Sequence, residues 1–253
     1  MITEYHRPKK IAEALELLAR KEPLTRPLGG GTVLSAPHSE EYAVVDLQHL
    51  GLAKLSTKGK NLSMGAALPL QVLLESPAIP TALAAAIQHE ANYSQRQVST
   101  VAGSLVSADG RSPFAIAMLA LDAQLSIEPK KEKLGYGELL PLRSEILAGK
   151  LITKITLAGQ PQLVYEYVAR SPADRPIVAL ALARWPSGRT RLAVGGFGEM
   201  PHLAVDGQDD SGLIDALQNV LDGATDNWAT SDYRKEAGAA ILRRALAKFE
   251  ETK

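Results

Sequence analysis

Near the start of the chain, apolar side chains recur at a helical spacing. Ile11, Ala14, Leu15, Leu17 and Leu18 share one face with Glu13, Glu16 and Arg20 opposite, so residues 9–20 predict an amphipathic helix, which Pro23 follows closely. The run Tyr42–Leu47 predicts a short strand. Residues 52–56 and 62–66 flank the polar stretch 57–61 and predict a hairpin. Pro69 then opens a short helix through Leu70, Val72, Leu73 and Leu74, and residues 80–91 form a second, alanine-rich helix.

The apolar rhythm pauses between Arg96 and Ser112. Ser99, Thr100, Ala102, Gly103, Ser104 and Ser107 are small or hydroxylated, and Asp109-Gly110 makes a turn. Ser112 suits an N-cap and Pro113 a first helical position, because proline lacks an N–H that a helix start leaves unpaired anyway. Ala115, Met118, Leu119 and Leu121 supply a buried helix. A small-residue segment before a helix start lets backbone approach an anion and offers it N–H groups; a tight loop between two core elements is the alternative. Gln124–Glu128 and the alternating Leu151–Leu157 read as strands, the latter as an edge or half-buried one, and Ala158–Pro161 as a domain boundary. The last third reads as strand, helix or buried run, strand pair (apolar stretches 163–169 and 177–185, a returning strand 189–195) and then helices, the last led by Asp232-Tyr233-Arg234. Gly195, Gly196 and Gly198 read as a strand-end turn.

Charge adds little. In 253 residues, 28 basic groups balance 28 acidic ones, so no strong field invites nucleic acid or an anionic membrane. There is no cysteine, which excludes disulfides, a thiolate nucleophile and cysteine ligation of iron–sulfur clusters by this chain. The first residues lack the layout of a signal peptide and no run is long enough to span a membrane, so a cytoplasmic protein is expected. His6, His38, His49, His89 and His202 are scattered, no serine sits in a nucleophile elbow, and Glu40-Glu41 and Asp209-Asp210 fall in polar turns. No catalytic residue and no metal site is expected.

The candidate chemistry lies in glycine. Arg26-Pro27-Leu28-Gly29-Gly30-Gly31-Thr32-Val33-Leu34 turns sharply and presents successive amides, but it is neither a Walker loop nor the spaced dinucleotide fingerprint. A flexible turn is the alternative reading of this segment alone. Gly30, Gly31, Thr32 and Leu34 match the Ala-Gly-Gly-Thr-Asp-Leu loop of the FAD-binding medium subunits of molybdenum hydroxylases, the carbon monoxide dehydrogenase and xanthine dehydrogenase flavoproteins. Gly29 and Val33 depart from it. Thr100, Gly103, Leu105 and the ending Ala120-Leu121-Asp122-Ala123 resemble that family's second loop and following helix, with Ala102, Ser104 and Pro113 departing. Residues 173–178, 193–198 and the final helix resemble its C-terminal domain, so the similarity runs through nearly the whole chain.

The resemblance implies an α+β fold: a two-lobed PCMH-type FAD-binding domain over residues 1–158 (small lobe about 1–52, larger lobe about 53–158), then a small α+β C-terminal domain with an antiparallel sheet over 159–253. It implies FAD held by Gly29, Gly30, Gly31, Thr32, Val33 and Leu34 and by Thr100, Ala102, Gly103 and Ser104. Asp109 would stand in for the carboxylate lost at Pro113; a solvent-exposed turn pair is the other reading of Asp109 and Arg111. Arg96 would steady the second loop, approach a phosphate, or form a surface salt bridge. Electrons would reach the flavin from an iron–sulfur subunit and a molybdenum-cofactor large subunit and leave to an external acceptor. A flavin-free descendant serving assembly, and a stand-alone flavin reductase, are the competing readings.

Overall fold

The computed structural model describes residues 1–37 and 39–251. In chain order its elements are β1 (Ile2–His6), α1 (Ile11–Leu18), β2 (Thr25–Leu28), β3 (Tyr42–Asp46), β4 (Leu55–Lys58), β5 (Asn61–Gly65), α2 (Leu70–Leu74), α3 (Thr81–Glu90), α4 (Tyr93–Val98), α5 (Val101–Val106) and α6 (Pro113–Ala120). Next come β6 (Gln124–Glu128), β7 (Glu132–Gly135), α7 (Tyr136–Leu139), α8 (Arg143–Ile146), β8 (Leu151–Leu157), β9 (Gln162–Val168), β10 (Val178–Arg184), β11 (Thr190–Gly195), β12 (His202–Gly207), α9 (Leu213–Leu221) and α10 (Ser231–Glu251). The α+β class follows from the segregation of helices and mostly antiparallel strands. Packing divides the chain into two units: residues 1–77, 92–107 and 124–157 form the first, and 78–91, 108–123 and 158–253 the second.

The first unit contains two sheets. β3, buried along its whole length, lies between β1 and β2 in a parallel three-stranded sheet. The apolar stripe of α1 closes over it, with Ala14 and Leu18 in one cluster with Val45, Leu47, Leu52 and Leu151. The second sheet is antiparallel, in the order β4-β5-β8-β6-β7. Leu62, Met64, Leu125, Ile127 and Ile155 are buried on one side of it, which satisfies the period-2 alternation. Two expectations change here. The hairpin strands lie at 55–58 and 61–65, with the turn tightened to Gly59-Lys60. Leu151–Leu157 is the middle strand, not an edge; its alternation reflects a polar open face.

The second unit is built on an antiparallel sheet in the order β12-β11-β10-β9. α3 packs on β9 and α6 on β10 and β11, while α10 packs on β9 and β10, α9 on β11 and β12, and these two helices on each other. Every residue of α6 is buried, which explains its unbroken apolar run. Leu180, Leu182, Leu192 and Val194 meet Leu217, Leu221, Ile241 and Leu242 in one core. Arg234 is fully buried beside them, its Nη2 bonded to both oxygens of Asp226 at 2.8 and 2.9 Å and its Nε donating to the Ile177 carbonyl at 2.9 Å. Because α3 and α6 belong to this unit, a single sequential division at 158/159 does not describe the packing: the C-terminal sheet takes two helices from the first half of the chain.

Candidate functional site

β2 delivers the chain to the triple glycine. The carbonyl of Leu28 accepts from Leu47 N–H at 3.0 Å, the last tie to the sheet, and Gly31 then turns the chain with φ at +72°, a conformation that favours glycine. The Gly31 carbonyl accepts from Ser35 N–H at 2.9 Å, and the Tyr42 hydroxyl donates to the Leu34 carbonyl at 2.9 Å, so the far end of the bend is anchored. Thr32 and Val33 stand exposed. Among the described residues, the amides of Gly29, Gly30, Gly31 and Thr32 donate no hydrogen bond.

The second segment differs from expectation. Thr100, Ala102, Gly103 and Ser104 do not form a loop. Thr100 is the N-cap of α5, and the other three lie within its first turn. Val101 N–H donates to the Leu68 carbonyl at 2.8 Å and Ala102 N–H to that of Ala66 at 3.1 Å. Gly103 N–H donates to Thr100 Oγ1 at 3.2 Å and Ser104 N–H to the Thr100 carbonyl at 2.9 Å. The amides of Val101, Ala102 and Gly103, which a helix start normally leaves open, are therefore taken within the protein. Ser104 and Ala102 are half-buried, and Gly103 is exposed.

The two segments nevertheless meet, both within the first unit. A Cβ on Gly30 would lie 1.7 Å from the Val98 carbonyl oxygen, and one on Gly29 would lie 2.7 Å from Thr100 Oγ1. Glycine is required at position 30 because backbone passes against backbone there. Arg96 helps hold α4 at this junction, its Nε donating to Gln71 Oε1 at 3.0 Å.

Asp109 belongs to the second unit, where it does other work. Its carboxylate bonds both terminal nitrogens of Arg175 and accepts from Arg111 N–H at 2.9 Å. Burial alone would raise this carboxyl, but the Arg175 and Arg111 bonds outweigh it and hold it below the ordinary aspartate value. Arg111 donates to the carbonyls of Pro176 and Arg175 and lies over the Trp228 ring, 4.3 Å from its centroid. Asp109 and Arg111 are thus committed to the turn they occupy. The sequence reading also missed Glu90, a buried carboxylate that accepts from Ser112 Oγ at 2.7 Å and from Phe114 N–H at 3.0 Å; burial pushes it above the usual glutamate value. A lone glutamate at the end of a predicted helix gives no sequence signal of that role.

The histidines stay apart. His6 bonds Glu4, His49 bonds Arg7, His89 bonds the Tyr165 hydroxyl and the Asp174 carbonyl, and His202 stacks on Phe197. His38 lies outside the described residues. Among the described residues no group of three His, Asp or Glu side chains is placed to hold a metal ion, and no helix is long and apolar enough to cross a membrane.

Whether these residues fit a dinucleotide turns on the first bend. Unclaimed amides beside a left-handed glycine suit a phosphate oxygen. The first bend therefore fits; the second supplies a wall and a hydroxyl rather than amides.

A parallel three-stranded lobe joined to a five-stranded antiparallel sheet, with a glycine bend abutting a capped helix start, defines an α+β nucleotide-type binding unit. Residues 1–157 match the family described as the FAD binding domain in molybdopterin dehydrogenase. The chain belongs to that family, whose cofactor is FAD. The uncharacterized protein YgfM of Escherichia coli K12 is 27% identical over 201 residues, covering 78% of this chain and 75% of its own. Quinoline 2-oxidoreductase from Pseudomonas putida 86 contains a chain that superposes with a TM-score of 0.78 at 22% identity, over 97% of this chain and 95% of that one. A chain of the reconstituted CO dehydrogenase of Oligotropha carboxidovorans does so with a TM-score of 0.77 at 24% identity, over 96% of each. Those two likenesses establish the fold, including residues 158–253, which the family match does not reach.

Proposed function

We propose that this chain is the flavoprotein subunit of a molybdenum hydroxylase-type oxidoreductase, operating in the cytoplasm beside an iron–sulfur subunit and a large molybdenum-cofactor subunit. The observation that carries the reading is the unclaimed row of amides from Gly29 to Thr32, set against the start of α5. In this reading Gly29, Gly30, Gly31 and Thr32 hold the diphosphate of FAD through backbone N–H groups. Val33 and Leu34 shape the exit of the bend, and Thr100, Ala102, Gly103 and Ser104 form the opposite wall. Bound FAD supplies the redox chemistry, accepting electrons from partner clusters and passing them to an external acceptor. The chain's own part is to hold and orient it. With no cysteine, it leaves cysteine-ligated clusters to another chain.

The second reading, a flavin-free assembly subunit, draws on the closed hydrogen bonds of Val101 to Ser104 and on the engagement of Asp109 with Arg175. The purified full chain separates the two. Release of FAD on heating, or uptake of added FAD seen by flavin fluorescence quenching, is expected, and Gly31→Val should abolish it. A colourless protein that leaves added FAD unquenched would establish the second reading instead.

A further inference from the structure

We propose that the open face of the five-stranded sheet in the first unit is a binding site for a compact polyanion of pyrophosphate chemistry, separate from the flavin bend. Lys58, Lys133 and Lys154 come from three different strands and border one 270 Å³ cavity with Ser63, Ser126 and Thr156. No carboxylate lines it. Among the described residues none of the three ammonium groups makes an ion pair or a hydrogen bond, whereas that of Lys150 on the same unit pairs with Glu132 at 3.1 Å.

Register arranges these groups in rows. Lys154 and Lys133 both stand opposite Ser126, one from each neighbouring strand, about two strand spacings or ~10 Å apart. The adjacent row is neutral and hydrogen-bonding: Ser63 opposite Thr156, and Thr156 opposite Gln124. Lys58, paired with Asn61, closes the far side of that row. Hydroxyls and amides thus lie between ammonium groups, an arrangement for an anion with several oxygens. Lysines on the edge strands β4 and β7 also discourage strand addition; Lys154 sits on the central strand β8, where that reason does not apply. Carboxylates stand at the margins: Glu138 is occupied by the Gly135 amide at 2.8 Å, Glu132 by Lys150 at 3.1 Å, and Glu128 ends β6 two residues beyond Ser126.

The cavity also limits the ligand. Its volume falls below the range of about 300–1,000 Å³ typical for drug-sized ligands, which suits a small anion. No aromatic ring lines it to stack a base. The chemistry left is a small anion carrying at least two charges.

The test is calorimetric titration of the full chain with sodium pyrophosphate at low ionic strength, with sodium chloride at matched ionic strength as the control. Saturable binding is expected, weakened at least about tenfold in K58Q/K133Q/K154Q and kept in K154R. Flavin content, read from the absorbance of the same preparations, should be equal in wild type and the triple variant. Circular dichroism shows that the variant, changed only at exposed positions, is folded. Citrate binding more tightly than pyrophosphate would overturn the phosphate assignment. No saturable heat with the wild type, a response that chloride reproduces, or undiminished binding by the folded triple variant would overturn the site.

Discussion

At the scale of single residues, the glycines of the first bend are not equivalent. Gly31 is needed for its backbone angle, and any L side chain there costs about 1–2 kcal/mol in the left-handed region. Gly30 is needed for space, since its missing Cβ would fall 1.7 Å from a carbonyl oxygen that cannot rotate away. Gly30→Ala must therefore push the bend off α4 and α5, at a cost of at least about 1–3 kcal/mol. In urea unfolding, Gly30→Ala is expected to lose more stability than Ala substitution at Gly59, whose missing Cβ would meet nothing within 4 Å although its φ is also positive, at +59°. Equal losses would mean that the contact at position 30 costs no more than a left-handed angle at an open position.

At the scale of elements, the start of α6 was legible and the start of α5 was not. Ser112 and Pro113 announce a helix by local chemistry, and Ser112 Oγ does accept from Ala115 N–H at 3.1 Å. Thr100 caps α5 in the same manner, but Gly103 and Ser104 behind it are weak helix formers, and the acceptors that fix the first turn come from Leu68 and Ala66, far back in sequence. β1 was invisible for a related reason: Ile2–His6 is largely exposed and has a parallel partner some forty residues away. What the sequence could not carry at all is how α6 is tied to α3 through Glu90. That carboxyl is held above its ordinary value by burial, so it favours folding fully below its unfolded value near 4.5, and the contribution is lost as pH rises through the folded value. Glu90→Gln does not titrate and keeps an acceptor for Ser112. The difference in melting temperature, variant minus wild type, should therefore move in the variant's favour as pH rises between about 4.5 and 8. A flat difference across that range would show that Glu90 keeps its charge at no cost.

For the whole molecule, chain order and packing order part company. The family match ends at residue 157, where composition also suggests a boundary, yet α3 and α6 pack with the sheet of residues 162–207. Nothing local reveals this, because an all-apolar helix such as Phe114–Ala120 says only that it is covered on every side, not by what. The consequence concerns truncation. A fragment of residues 1–157 retains the glycine bend, α5 and both sheets of the first unit, but strips α6 of the β10 and β11 surface that buries it. The face of this all-apolar helix that met those strands then meets water as one contiguous patch, beyond the scattered apolar exposure a soluble surface tolerates. Expressed alone, residues 1–157 should aggregate or migrate as large species in size-exclusion chromatography where the full chain does not. Replacing Ile116, Met118 and Leu119 with serine in that fragment should recover soluble protein, since the first unit's own core lacks none of its residues. A monodisperse, cooperatively unfolding 1–157 fragment would mean that α6 finds cover within the first half of the chain, and that the sequential division is the one that folds.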